Sequence, residues 1–189
     1  NEIKGSADVD IITGSGGADT ITGGASADSI TGGAGNDTFR YTASTEGADI
    51  ISDFATGADK LAFVDAAFGS LGAGALAAAA VTAFDTDVNT TLANLAGKAD
   101  SEIYQVDFAG GFTPSTGAGH LDEMETAITG GTHTGAAFFL LSYSDGNSRI
   151  YYDADTAVGT DGTGLTHIAT FSGIDDATAD LATTDVSIV

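Results

Sequence analysis

Large apolar residues recur every nine positions near the N-terminus: Ile12, Ile21, Ile30 and Phe39 hold the same offset in the consecutive phrases Gly5–Thr13, Gly14–Thr22, Gly23–Thr31 and Gly32–Arg40. Two residues ahead of each stands an aspartate, Asp10, Asp19, Asp28 or Asp37, and each phrase opens on glycine. The pattern predicts a tight turn followed by a short strand whose large apolar side chain points inward. Beyond the repeats the polar and apolar positions change character. Ala48–Phe63 reads as two strands around a turn that would cover the open end of the repeat array. Leu71–Phe84, Thr91–Ala99 and Leu121–Ile128 read as short helices, with Ser101–Phe108 alternating like a strand between them. Ala137–Ser144, a turn at Asp145–Asn147, Arg149–Asp153 and Leu165–Phe171 predict a return to strand. The longest apolar runs, Ala75–Val81 and Ala136–Leu141, are too short to span a bilayer, so a soluble chain is expected.

The phrases follow the nonapeptide G-G-x-G-x-D-x-U-x, with U a large apolar residue, which is the signature of a parallel β-roll. The expected fold is therefore mostly β. A β-roll and its cap occupy residues 1–63, and a β-rich, α+β module with a few short helices occupies residues 64–189. If each unit supplies one turn and one strand, two units complete a coil, and Asp10 stacks on Asp28 and Asp19 on Asp37 at the ~4.8 Å strand spacing. At an effective dielectric near 20, two such charges repel by about 3.5 kcal/mol, which opposes folding unless a cation lies between the turns. Calcium suits that place because it takes six to eight oxygens, carboxylate and carbonyl, in irregular geometry, whereas magnesium demands a small octahedron. The candidate ligands are the turn residues Gly5, Gly14, Gly16, Gly17, Gly23, Gly24, Gly32, Gly33 and Gly35 with the carboxylates of Asp8, Asp10, Asp19, Asp28 and Asp37. Glu46, Asp49, Asp53 and Asp59 would complete the last sites, Glu46 falling nine residues after Asp37. Ser6 and Ser15 replace the second glycine, and Asp8 and Ser26 the fourth, so the first and third turns are expected to bind less tightly.

The 27 acidic residues against five basic ones give a formal charge of −22, which argues against nucleic acid and anionic membrane as partners. Aspartate, the shorter carboxylate favoured in turns and at hard-cation sites, makes up all of the acidic residues except Glu2, Glu46, Glu102, Glu123 and Glu125. Without cysteine, neither disulfides nor thiolate metal sites can stabilise the fold, and a metal bound only by the folded state could serve instead. The chain opens in mid-phrase without a signal-like segment, so it is expected to be the C-terminal part of a longer protein.

Other clusters carry weaker signals. Asp85-Thr-Asp87-Val-Asn89 matches the opening of an EF-hand loop, but Thr90 stands where glycine is needed and Ala96 where the bidentate glutamate belongs. Asp145, Asn147, Asp153, Asp155 and Asp161 gather around a hairpin and its following loop; they read as turn chemistry or, for Asp153, Asp155 and Asp161, as a further calcium site. Catalysis finds little support, because His120, His133 and His167 are far apart, no H-E-x-x-H helix exists, and Gly69-Ser70-Leu71-Gly72 is not a nucleophile elbow. No enzymatic activity is expected.

The repeats, together with Asp37-Thr-Phe39 through Asp53-Phe54, Gly57 and Asp59-Lys-Leu61, resemble repeats-in-toxin (RTX) proteins exported by Gram-negative type I secretion. The resemblance covers residues 5–63 well and 137–189 loosely, and residues 64–136 carry no assignable motif. It implies several bound Ca2+ ions and passage through the type I secretion machinery. The tail Asp180–Val189, acidic then apolar, is similar to the uncleaved C-terminal export signals of such proteins. Scarce lysine, no cysteine and abundant Ala, Gly and Thr look most like surface-layer (S-layer) proteins. That implies a secreted, cell-surface subunit whose partners are copies of itself in a calcium-mediated lattice. The calcium-binding and secretion module of an RTX exoenzyme, a serralysin-type protease or a lipase, is the alternative, and an adhesin is a third.

Overall fold

The computed structural model describes residues 1–68, 84–85, 103–106, 137–142, 146–153, 165–174 and 185–189. Their strands, in chain order, are β1 Glu2–Lys4, β2 Ile11–Thr13, β3 Thr20–Thr22, β4 Ser29–Thr31, β5 Thr38–Tyr41, β6 Asp49–Ile51, β7 Lys60–Phe63, β8 Phe84–Asp85, β9 Ile103–Val106, β10 Ala137–Ser142, β11 Asn147–Asp153, β12 Leu165–Ser172 and β13 Val186–Ile188. Odd and even strands of the repeats part into two facing sheets, one ordered β1-β3-β5-β7-β13 and the other β2-β4-β6-β12-β11-β10-β9-β8. The roll strands are parallel, and they pair at an offset of eighteen residues: Ile3 with Ile21, Ile21 with Phe39, and Ile12 with Ile30. Two nonapeptides therefore complete one coil, and the fold is the mostly β, parallel roll that the repeats predict. Ile21, Ile30 and Phe39 are almost fully buried between the sheets, with Ile12 at the thinner end of the same column.

The next coil is longer, because Phe39 pairs with Leu61 and Ile30 with Ile51. The two strands expected around a turn in Ala48–Phe63 are β6 and β7, and they join opposite sheets, adding a further coil to the roll. Strands from far along the chain follow them. β12 lies parallel on β6, with Phe171 opposite Ile51, and β13 lies parallel on β7, with Val186 opposite Leu61. Antiparallel pairing of β12 with β11 and of β11 with β10 extends the second sheet, with a bulge between Ile150 and Tyr151. Aromatic rings bind these layers. The Phe54 centroid is 5.8 Å from that of Phe39 and 5.1 Å from that of Phe171, and Phe68 is 5.2 Å from Phe63 and 5.0 Å from Tyr152. One apolar cluster thus runs from Ile12 to Ile188.

Among the described residues the helical content is one short 3-10 turn, Asp65–Ala67, and no helix is long and apolar enough to cross a membrane. The expected helix Leu71–Phe84 meets the structure at Phe84, which opens β8 rather than ending a helix. The expected helices Thr91–Ala99 and Leu121–Ile128 lie outside the described residues. The strands expected at 101–108, 137–144, 149–153 and 165–171 coincide with β9, β10, β11 and β12.

Candidate calcium sites on the stacked turns

Alternate crossings between the sheets place the turns in two stacks. Turns 5–10, 23–28 and 42–48 line one edge of the roll, and turns 14–19, 32–37 and 52–59 the other. The aspartates closing these turns form a ladder on each edge. The Asp10 amide donates to Asp28 Oδ1 at 2.8 Å, and the Asp28 amide to Asp49 Oδ1 at 2.9 Å. On the other edge Asp19 donates to Asp37 Oδ1 at 2.9 Å, and Asp37 to Asp59 Oδ1 at 2.8 Å. One oxygen of each acceptor carboxylate is thereby fixed to the coil before it.

The second oxygen divides the turns into two kinds. Asp10 Oδ2 accepts from the Ser6 amide at 2.6 Å and the Ser6 hydroxyl at 2.8 Å; Asp19 Oδ2 accepts from the Ser15 amide at 3.1 Å, and Asp59 Oδ2 from the Ala55 amide at 2.8 Å. Asp28 Oδ2, Asp37 Oδ2 and Asp49 Oδ2 are buried and accept nothing. A buried, unsatisfied charged oxygen costs at least about 1–3 kcal/mol, so three of them mark a place for a missing positive partner. The local cause lies at the second turn position. Gly24 and Gly33 take φ of 115° and 102°, a conformation that residues with a Cβ rarely adopt, and Gly33 N–H donates to Asp53 Oδ2 instead of to Asp37.

Asp53 spends both oxygens on the Gly32 and Gly33 amides, each at 2.8 Å, and so anchors turn 52–59 to turn 32–37. Counting by nines places Glu46 on the ladder, but Asp49 holds that rung because turn 42–48 is longer. Glu46 Oε1 closes its own turn on the Thr42 amide, at 3.0 Å, and on the Thr42 hydroxyl, while Glu46 Oε2 is buried without a partner. The Tyr41 hydroxyl is buried beside the Asp49 carboxyl without making a hydrogen bond of normal geometry. Asp8 stays exposed, its amide donating to the Ser6 hydroxyl. Ser26 holds φ 74° without being glycine, so the third turn keeps its shape despite the substitution.

The glycines let the coils touch. A Cβ on Gly5 would stand 2.1 Å from the Gly23 carbonyl oxygen, and one on Gly14 2.0 Å from that of Gly32. At Gly35 it would meet the Gly17 carbonyl at 2.5 Å, while Gly16 and Gly17 themselves have open space beside them. A Cβ on Gly23 would reach Asp28 Oδ2 at 2.4 Å and Asp49 Oδ2 at 3.1 Å, so two open carboxylate oxygens converge on one bare Cα. At Gly32 the same construction meets Asp37 Oδ2 at 2.6 Å.

The Ser6 amide and then its hydroxyl lower the Asp10 pKa. Burial pushes Asp49 up to about 7, with the charges of Asp28 and Glu46 adding to it, and burial also raises Asp59 next to Asp37 and Asp53. Burial, then Asp49, raises the Tyr41 hydroxyl well above its ordinary value. Burial first, and neighbouring carboxylates second, disfavour the ionised form of Asp49 in the metal-free roll.

The donor set fits calcium: hard carboxylate oxygens, buried and unpaired, within turns made of closely stacked backbone. Asp28, Asp37 and Asp49 would hold the ions, and a bound ion would supply the charge that their free oxygens lack. Among the described residues no three acidic or histidine side chains converge on one point, so backbone carbonyls or water would complete each shell. Asp153 ends β11, and Asp155 and Asp161 lie outside the described residues. So do Asp87, Asn89, Asp145, His120 and His133, whereas Asp85 ends β8. Asn147 Oδ1 accepts from the Gly173 amide at 3.2 Å, and His167 stacks on Tyr151 with its Nε2 3.1 Å from the Thr170 hydroxyl; both are structural contacts.

Sequence reasoning missed Asp185. Its carboxylate accepts from Gly57 N–H at 2.9 Å and its carbonyl from Leu61 N–H at 2.6 Å, so β13 docks where a further coil would lie. The available signal was an aspartate directly ahead of the alternating Val186-Ser-Ile188.

Comparison with known proteins agrees with this geometry. Residues 4–39 match the family model described as the RTX calcium-binding nonapeptide repeat, in four copies. No curated protein matches the chain. Proteins with such repeats are typically secreted by bacteria. Residues 4–39 are four RTX nonapeptide repeats, and they imply that this chain binds calcium.

Proposed function

We propose that this chain is the calcium-binding part of a secreted S-layer subunit, which folds on binding Ca2+ and assembles with copies of itself into a two-dimensional lattice on the bacterial surface. The observation that carries the calcium step is the trio of buried, unpartnered oxygens of Asp28, Asp37 and Asp49 on two stacked turn edges. In a cell, where calcium is scarce, those charges would keep the roll open for export by the type I machinery; outside, the ion would close it. The lattice step draws on composition: a charge of −22, five basic residues, no cysteine, and abundant Ala, Gly and Thr. The chain carries no catalysis of its own on this reading, and it binds neither nucleic acid nor membrane.

A second reading is favoured by one feature of the site. Asp28, Asp37 and Asp49 are each about 1% exposed, so ions held there stabilise the roll from within rather than bridge two copies. The same roll would then be the calcium-folding and secretion module of an RTX exoenzyme or adhesin. Electron microscopy of the protein in millimolar calcium, in magnesium and in matched sodium chloride separates the two. Regular sheets in calcium alone support the layer, and a monodisperse monomer in all three supports the module.

A further inference from the structure

The four repeats are alike in sequence, yet their carboxylates are not alike in need. In turns 5–10 and 14–19 the second position is serine, and its amide donates to Oδ2 of the turn's own aspartate, at 2.6 Å in one and 3.1 Å in the other. Ser6 adds its hydroxyl to the same oxygen at 2.8 Å. In turns 23–28 and 32–37 the second position is glycine at positive φ, and Oδ2 of Asp28 and of Asp37 is buried with no partner. The open oxygen of Asp28 faces the bare Cα of Gly23 together with that of Asp49.

We propose that the second residue of each nonapeptide decides which turns take calcium: serine closes a turn on its own aspartate, whereas glycine at positive φ leaves the carboxylate open for an ion. Occupancy is then uneven, with ions held by Asp28 and Asp49 on one edge and by Asp37 on the other, while the Ser6 and Ser15 turns satisfy their aspartates without metal. The chemistry is substitution of one positive partner for another. An amide and a hydroxyl supply partial charge to Asp10 in place of a cation, and such charge-assisted bonds are short and strong. Closed turns at the β1–β2 end would let that part of the roll form at calcium levels too low to fill the open turns. The assignment rests on the calcium reading above, and its test is chosen to fail separately from it.

The test is the number of ions bound by the full chain, measured by calorimetric titration with calcium chloride, with circular dichroism at saturating calcium to confirm folding. Ser6→Gly and Ser15→Gly should each raise the count by opening a turn, whereas Ser6→Ala, which still bars positive φ, should not. Asp28→Asn and Asp37→Asn should each lower the count, or weaken the affected step at least tenfold. If the parent binds calcium and the two glycine variants bind no more than it does, the second position does not select the sites and the proposal is overturned. An alanine variant that gains an ion as glycine does overturns it too, since backbone conformation would then not matter. A parent chain that binds no calcium refutes the calcium reading itself, and this assignment with it.

Discussion

Asp28 and Asp49 stand one coil apart, the amide of Asp28 donating to Oδ1 of Asp49 at 2.9 Å, with the second oxygen of each buried, unpaired and turned toward Gly23. The backbone of the roll thus forces two carboxylates together while satisfying only half of each. Asp49 lies beyond the four repeats, yet the sheets stack it on Asp28 as they stack Asp28 on Asp10, and carboxylates so stacked repel unless a cation lies between them.

Without calcium, stability should fall as pH rises. Burial pushes Asp49 from the ordinary value of 3.8 up to about 7, with Asp28 adding to the shift, and burial raises Asp59 as well. A carboxyl whose folded pKa is raised binds its proton more tightly when folded, so its contribution is complete below 3.8 and vanishes as pH climbs through about 7. Asp10, lowered by Ser6, and Asp19, lowered by the N-terminal ammonium and then Ser15, work the other way, but their contribution is lost only as pH falls below the ordinary value of 3.8 and leaves the range from pH 5 to 8 nearly unaffected. In chelator, the urea midpoint should therefore be higher at pH 5 than at pH 8, and Asp49→Asn should flatten the difference. A parent midpoint higher at pH 8 would contradict this sign.

Phe171 ties β12 to the roll through Phe54, whose centroid is 5.1 Å from its own. Phe171→Ala should cost about 3–5 kcal/mol in calcium, as large-to-small changes in a packed core do. Phe171→Leu, which keeps most of the volume, should cost less than about 1.5 kcal/mol. Denaturant titration measures both, and an alanine variant within 1 kcal/mol of the parent, on the same order-of-magnitude scale, would mean that the aromatic bridge carries little weight.

Asp185 holds β13 against the last roll turn through the Gly57 amide. Asp185→Ala leaves that amide unanswered and should cost about 1–3 kcal/mol, whereas Asp185→Asn retains an acceptor and should lose less. Hydrogen exchange at Gly57 and Leu61 reads the same contact directly. Unchanged protection in the alanine variant would count against docking of the tail through this residue.

Much of the roll was legible because a repeat leaves the same trace several times. Ile12, Ile21, Ile30 and Phe39 face inward at a fixed offset, and the stacking of Asp10 on Asp28 follows from two units per coil. What escaped depends on backbone details or on distance along the chain. Asp49 takes the rung that counting by nines gives to Glu46, because a longer turn shifts the register without changing any residue type. Whether an aspartate is open turns on the sign of one φ, which distinguishes Gly24 and Gly33 from Ser6 and Ser15. Pairing of β12 with β6 and of β13 with β7 is parallel and long-range, so no local turn announces it; the shared apolar cluster decides it. The substitutions at Ser6, Asp8, Ser15 and Ser26 single out the first and third turns as the weaker ones, whereas in the structure the first and second turns close on their own aspartates and the third and fourth leave Asp28 and Asp37 without partners.

The most direct measurement is a calcium titration of the parent chain, followed by far-ultraviolet circular dichroism and limited proteolysis, with magnesium at equal concentration as the control. Strand signal and protease resistance should rise together as calcium fills the open turns, collapse on addition of chelator, and respond little to magnesium. Identical spectra and cleavage rates in excess chelator and in millimolar calcium would show that the stacked aspartates need no cation, and would contradict calcium-dependent folding of the roll.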